Sequence, residues 1–174
     1  MTKLNAKQLR KSEPIPSVVK KIKRNPIYFV LDEILDTFNV GSLFRLADAV
    51  AAEKIYLCGG METPPSSRIH KAAVGTENWV PWEKSKSTLK TVQGLKKKGV
   101  QIIAVEQHKR AISYKDLSPQ FPLAIVVGHE TKGINEKVLK EADVIVELPM
   151  YGVNKSFNVW GSATVVAYKV LEHQ

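Results

Sequence analysis

A chain of 174 residues, 44% hydrophobic and 25% charged, has the balance of one globular domain with a substantial core. No apolar run reaches the roughly 20 residues needed to span a bilayer, and the polar, basic start lacks the apolar stretch of a secretory signal. The single cysteine, Cys58, excludes an intramolecular disulfide and a cysteine-rich metal site, and His70, His108, His129 and His173 have no ligand spacing. A cytoplasmic, metal-free protein is expected. The net charge of +9 is unevenly placed: residues 1–24 hold eight Lys/Arg against one acid, Glu13, which accounts for +7 of it. Such an extension suits a polyanion, most simply RNA or DNA, or serves as a solubilising tail.

The chain divides into a basic extension over 1–25 and a domain over 26–174. In the extension a short helix is expected around Leu4–Ser12, followed by a connection punctuated by Pro14, Pro16 and Pro26. A strand over Ile27–Leu31 precedes a helix from about Val40 to Ala51. That helix has Asn39 at its N-cap and Val40, Leu43, Phe44, Ala47 and Ala51 on one face. Lys54–Cys58 reads as a strand, then a Pro/Ser loop leads to a helix near Arg68–Val74. Trp79 and Trp82 follow; they suit the core, or stacking on nucleic-acid bases. The helix over Ser87–Lys98 carries a lysine group (Lys84, Lys86, Lys90, Lys96, Lys97, Lys98) that reads as a solvated face. Strands Gln101–Val105, Leu123–Val127 and Val144–Leu148 alternate with a helix near Asn135–Glu141. A last helix from about Ser156 buries Val159, Ala163, Val166 and Val170 and leaves Val165, Ala167 and Leu171 as a further apolar surface. Alternating strands and helices predict an α/β fold with a mostly parallel sheet and helices on both faces. In such sheets ligands bind beyond the carboxyl ends of the strands, where the glycine-rich segments after Val127 and Leu148 fall.

Common nucleotide signatures fail. No G-x-G-x-x-G follows a strand, and Gly128 to Gly133 has P-loop spacing but continues Ile134-Asn135 instead of Lys-Ser/Thr. His129-Glu130 lacks the second histidine of a zincin, and no serine sits in a nucleophile elbow. Three segments remain: Asn39-x-Gly41-x-x-x-Arg45; Gly128-x-Glu130-x-x-Gly133; and Leu148-Pro149-Met150-x-Gly152 running into Ser156-Phe157-Asn158. Gly41 and Arg45 lie one helical turn apart, so the missing side chain at Gly41 is expected to open space above a guanidinium able to grip a phosphate. Glycines let a backbone approach a ligand closely, and Glu130 offers a carboxylate to a cation.

In order and spacing these segments resemble the three motifs of the SpoU-type (TrmH-like) RNA ribose 2′-O-methyltransferases of the SPOUT superfamily, over about Pro26 to Glu172. The resemblance implies a deep C-terminal trefoil knot that forms an S-adenosylmethionine pocket, a homodimer with the site near its interface, and an RNA substrate. Of RNA substrates, tRNA is favoured, since the chain lacks room for the separate N-terminal domain of some rRNA-modifying relatives, and rRNA stays open. Carried over residue by residue, Arg45, Asn39, Glu130, Ser156 and Asn158 form the catalytic set. Val105, Gly128, Leu148, Met150, Ser156 and Phe157 line the cofactor. Phe157 replaces the family's usual leucine and Trp160 stands where a small serine is common, so both enlarge side chains beside the pocket. A non-catalytic RNA-binding protein of the same fold is the alternative; a base methyltransferase on a related knot would use different motifs.

Overall fold

A computed structural model describes residues 3–174. Helices α1 (Ala6–Lys11) and α2 (Pro16–Val19) precede strand β1 (Asn25–Asp32), helix α3 (Thr37–Ala49), β2 (Ala52–Cys58), α4 (Ser67–Ala73), β3 (Trp82–Ser85) and α5 (Thr88–Lys96). Then come β4 (Gln101–Val105), β5 (Ile112–Ser113), β6 (Leu123–Gly128), α6 (Glu136–Glu141), β7 (Val144–Glu147) and α7 (Val159–Leu171). The seven strands form one sheet in the order β3-β2-β1-β6-β4-β7-β5, and every strand pair in it is parallel. The expected α/β sheet is therefore present, with short β3 and β5 added at its two edges and α2 inside the proline-punctuated connection.

Strand periodicity divides the core. Phe29, Leu31, Ile125 and Val127 point to one face, where α3, α4 and α7 cover them with Leu43, Phe44, Ile69 and Val166. Val30, Ala124, Val126 and Ile102 point to the other and meet Val92 of α5 and Leu139 of α6. The central strand β6 is buried along its whole length, which is why it reads as an unbroken apolar run. Trp79 is buried, and Trp82 is half-buried with its ring edge-on to Phe44, the centroids 6.5 Å apart. The tryptophans thus pack as core residues. The lysines of α5 lie exposed as expected, with Lys96 paired to Asp143 at 2.9 Å. Among the described residues no helix is long and apolar enough to cross a membrane.

Three local expectations are corrected. Helix α3 begins a turn earlier than expected: Asp36, not Asn39, is the N-cap, its Oδ1 accepting from the Phe38 N–H at 2.8 Å. Helix α7 begins at Val159 with Asn158 as N-cap, so Ser156 stays in the preceding loop. Ala167 is fully buried within the chain and adds nothing to an outer apolar surface.

Gly41 has a different purpose from the one its spacing suggests. A Cβ there would stand 2.5 Å from Ala72 Cβ and 2.7 Å from both Ala73 N and Ile69 O, so it is the contact point at which α4 crosses α3. Two of those atoms are backbone and cannot rotate away. Gly41→Ala is therefore expected to destabilise the fold by about 1–3 kcal/mol, as overpacking does, measured by urea unfolding; an unchanged midpoint would show that α4 shifts at no cost.

Candidate functional site

Strands β1 and β6 end side by side, Asp32 opposite Gly128. The chain leaving β1 enters α3 on one face of the sheet, and the chain leaving β6 enters α6 on the other. Adjacent strands whose connections part in this way leave a crevice at their carboxyl ends. Asp32 is buried there and organises the floor: it accepts from the Thr88 hydroxyl and, at 2.9 Å, from the Asn135 N–H at the start of α6.

Above the floor, one directional chain of hydrogen bonds ties the three sequence motifs together. Asn158 Nδ2 donates to Asn39 Oδ1 at 3.1 Å, and Asn39 Nδ2 donates to Glu130 Oε1 at 2.8 Å. The Leu35 and Asp36 N–H groups also donate to the Glu130 carboxylate, each at 3.0 Å. The ends of the chain fix its sense. Glu130 only accepts, so Asn39 must turn its amide NH₂ toward it and its oxygen toward Asn158, whose own oxygen accepts from the Trp160 N–H at 3.0 Å. Burial pushes the Glu130 carboxyl up, but the bonds from Asn39, Leu35 and Asp36 outweigh it and hold its pKa below the ordinary value. Glu130 thus caps α3 from across the fold as an anion, a favourable sign at a helix N-terminus. Asn39 is 2% exposed, and its amide is the side-chain donor that this chain sets against the Glu130 carboxylate.

Beside this chain lies a cavity of about 500 Å³, a size within the range of small-molecule sites. Val105, Gly128, Leu148, Ser156, Phe157 and Asn158 line it, as does Glu130. Met150 does not. Its lining includes Glu106, Glu130 and Glu147 with His129 and no lysine or arginine, a balance that suits a cationic ligand better than a phosphate. Gly128 packs against the backbone of Gly133 and Ile134, so the segment between them can fold back on itself, closed by the Gly133 N–H bond to His129 O at 2.8 Å. Phe157 is 55% exposed, and its ring lies over Gly161, where an added Cβ would come within 2.5 Å of it. The bulk introduced at position 157 is thus taken up by a missing side chain one helical turn further on. Trp160 is 38% exposed and is not part of the lining.

Arg45 stands apart. It is exposed on α3, outside the cavity lining, and forms no ion pair or hydrogen bond among the described residues. The structure therefore joins Asn39, Glu130 and Asn158 directly and sets Ser156 on the cavity wall, while Arg45 is left presented outward from the same helix as Asn39.

Sequence reading missed the residues that hold the loops. Glu106 accepts from the Ile134 N–H at 2.8 Å and the Gln107 N–H at 3.0 Å, and Gly133, at φ +67, has no side chain to block its approach. Gln107 Nε2 donates to Lys155 O in the loop before α7. Adjacent residues after β4 thus clamp one loop on each side of the cavity. Nothing in spacing marks them, because both partners are main-chain atoms remote in sequence. Glu106→Ala would strand the half-buried Ile134 N–H at a cost of roughly 1–3 kcal/mol. The expected result is lost amide-exchange protection at Ile134, and protection equal to wild type would rule out the clamp.

The fold with this site defines a class. The AdoMet-bound rRNA methyltransferase from Sinorhizobium meliloti superposes with a TM-score of 0.80 at 23% identity, covering 95% of this chain and 60% of that one. The sequence pattern described as the SpoU rRNA Methylase family matches residues 26–168, and the chain belongs to that family. The Bacillus subtilis protein YacO, named for the TrmH family of tRNA/rRNA methyltransferases, is 29% identical over 83% of this chain and 58% of its own length. The tRNA (guanosine(18)-2′-O)-methyltransferase of Borreliella burgdorferi is 25% identical over 88% of this chain and 69% of its own. The chain thus spans little more than half the length of YacO.

Proposed function

We propose that the protein transfers a methyl group from S-adenosylmethionine to a ribose 2′-hydroxyl of RNA, tRNA in preference to rRNA, with residues 26–174 as the methyltransferase domain. The observation that carries this reading is the hydrogen-bonded union of Asn39, Glu130 and Asn158, one residue from each motif, at the wall of a cavity with acidic lining. Three glutamates with no lysine or arginine beside them fit a sulfonium and an α-ammonium group, and Gly128 with the main chain at Leu148 offers close backbone approach to an adenosine. Bound there, S-adenosylmethionine would supply an electrophilic methyl on a sulfonium whose leaving group is a neutral thioether. The tRNA preference is supported by the Borreliella relative's activity and by the basic extension.

The chain's own part is positioning and charge. Arg45 grips the phosphate next to the target ribose and stabilises the oxyanion that develops as the hydroxyl proton leaves to solvent. It does not serve as the base, since a guanidinium stays protonated. Ser156 and Asn158 orient the ribose, and Glu130, held anionic, keeps the start of α3 fixed so that Arg45 is presented at one place. The segments after Leu123 and Leu148 thread as the family's trefoil knot. Large apolar side chains left exposed around the site, among them Leu35, Phe38, Tyr151 and Val153, support a homodimer built over it.

Incubation of the pure protein with tritiated S-adenosylmethionine and total tRNA or rRNA from a strain lacking it, followed by nucleoside mapping, tests the reading. Label in a 2′-O-methyl nucleoside is the expected result. No label on any RNA together with no cofactor binding would overturn the catalytic reading in favour of an RNA-binding protein, whereas cofactor binding without label would point to a missing partner or substrate.

A further inference from the structure

The amino-terminal extension is not a free tail. Helix α1 is closed at its start by a reciprocal cap, Asn5 Oδ1 accepting from the Gln8 N–H at 3.0 Å and Gln8 Oε1 from the Asn5 N–H at 2.8 Å. A helix of 6 residues is marginal on its own, so its place in the fold depends on what it rests against. It rests on Gly75. The turn that ends α4 carries Val74 at φ +61 and Gly75 at φ +93, and a Cβ at Gly75 would run into the Leu9 carbonyl and stand 3.1 Å from Arg10 N. The backbone of α1 therefore lies directly on this turn. The other end of the extension is pinned to the same corner: Arg24 Nη2 donates to Trp79 O and Nη1 to Ala52 O, each at 2.9 Å, and Asn25 Nδ2 donates to Val50 O at 2.8 Å. Arg24 is thereby used in the fold and leaves the count of cations open to a partner.

With the arm fixed in this way, its charges acquire neighbours. Leu9 is half-buried against the body, while Lys7, Arg10 and Lys11 are exposed. Helix α4 buries Ile69, Ala72 and Ala73 toward α3 and exposes Arg68 and Lys71 on its outer side, just before Gly75. None of these five cations is in an ion pair among the described residues. Glu13 is the single acid of the arm, and the nearby Glu77 is buried and bonded to His70. Helix α4 in turn packs on α3, the helix that presents Arg45. The cluster thus lies on the α3 side of the sheet, one helix away from the site.

We infer that α1, docked on Gly75, and the outer side of α4 form a single preformed platform for the phosphate backbone of the substrate RNA, placing the RNA body while Arg45 receives the target nucleotide. This rests on the reading of the protein as an RNA-modifying enzyme and adds where the RNA lies. A fixed platform has a property that a loose basic tail lacks: its contribution depends on the geometry of Gly75 as well as on its charges.

The test is titration of unmodified tRNA transcript against the full-length protein over a range of salt, with S-adenosylmethionine binding measured in parallel. Replacing Lys7, Arg10 and Lys11 by Gln is expected to weaken RNA binding and to shrink the slope of log K against log salt by about 2–3 units, each of the three lost phosphate contacts removing roughly 0.7–0.9. Arg68→Gln with Lys71→Gln should do the same to a lesser degree. Gly75→Val, which removes no charge but displaces α1, should reproduce the loss of the triple variant; its fold is checked by cofactor binding, which all variants should retain. Wild-type affinity and slope in the triple variant would overturn the platform and leave the enzymatic reading standing. Loss in the triple variant without loss in a folded Gly75→Val would overturn the docked geometry. Failure of the wild-type protein to bind any RNA would overturn both.

Discussion

Arg45→Ala is expected to lower methyl transfer by roughly 10²–10³-fold, the usual loss when one group that stabilises a developing oxyanion is removed. S-adenosylmethionine affinity and thermal stability should stay unchanged. The split follows from placement. Arg45 is exposed, lies outside the cavity lining and makes no ion pair or hydrogen bond among the described residues, so its truncation leaves no stranded partner and no void. Arg45→Lys should recover only a fraction of the rate, because an ammonium cannot reproduce a bidentate grip on phosphate. Single-turnover rates at saturating RNA, with calorimetry for the cofactor, separate these effects. A normal rate in Arg45→Ala would end the proposed role.

The second large effect is on stability. Asn39→Ala should cost about 1–3 kcal/mol, because it strips a donor from the Glu130 carboxylate and leaves the Asn158 amide without its acceptor. It should also change the response to acid. The folded-state pKa of Glu130 lies below its ordinary value of 4.5. Its stabilising contribution is therefore present at pH above that value and is lost as pH falls through the folded pKa. Asn39→Ala withdraws one of the bonds responsible, so the variant should be less stable at neutral pH and should lose less on acidification. Glu130→Gln should remove this part of the pH dependence. Urea unfolding at neutral pH and below the ordinary carboxylate range measures both; parallel stability-pH curves for wild type and Glu130→Gln would show that the carboxylate does not carry the effect.

The legible part of this protein is the part written in local pattern. Strand β4 has the bounds its apolar run suggests, β6 is the buried central strand that its composition requires, and the helices follow the apolar stripes that face the sheet. The motif residues Asn39, Glu130 and Asn158 were recognisable as a set, since their types and order are those of a known family.

Their physical roles were not legible. Asn39 looks like a helix cap because a polar residue precedes an apolar stripe, yet the true cap is Asp36, and Glu130 from the far end of β6 supports the same turn. Gly41 looks like an opening above Arg45, yet it is where the backbone of α4 touches α3. Glu106 carries no motif, and the basic arm gives no sign of Gly75.

By itself the sequence determined the alternation of strands and helices, the two-sided sheet, the excess of charge near the start of the chain and the identity of the polar residues at the strand ends. Each of these depends on periodicity, composition or order along the chain, and so is set within a few neighbouring residues. The tertiary structure alone decided which atoms meet: Asn39 with Glu130 and Asn158, Gly41 with Ala72, Glu106 with Ile134, Leu9 with Gly75. These contacts join segments far apart in the chain and often end on main-chain atoms, which every residue possesses. No local pattern can announce a partner of that kind; it becomes visible only once the sheet has brought the loops together.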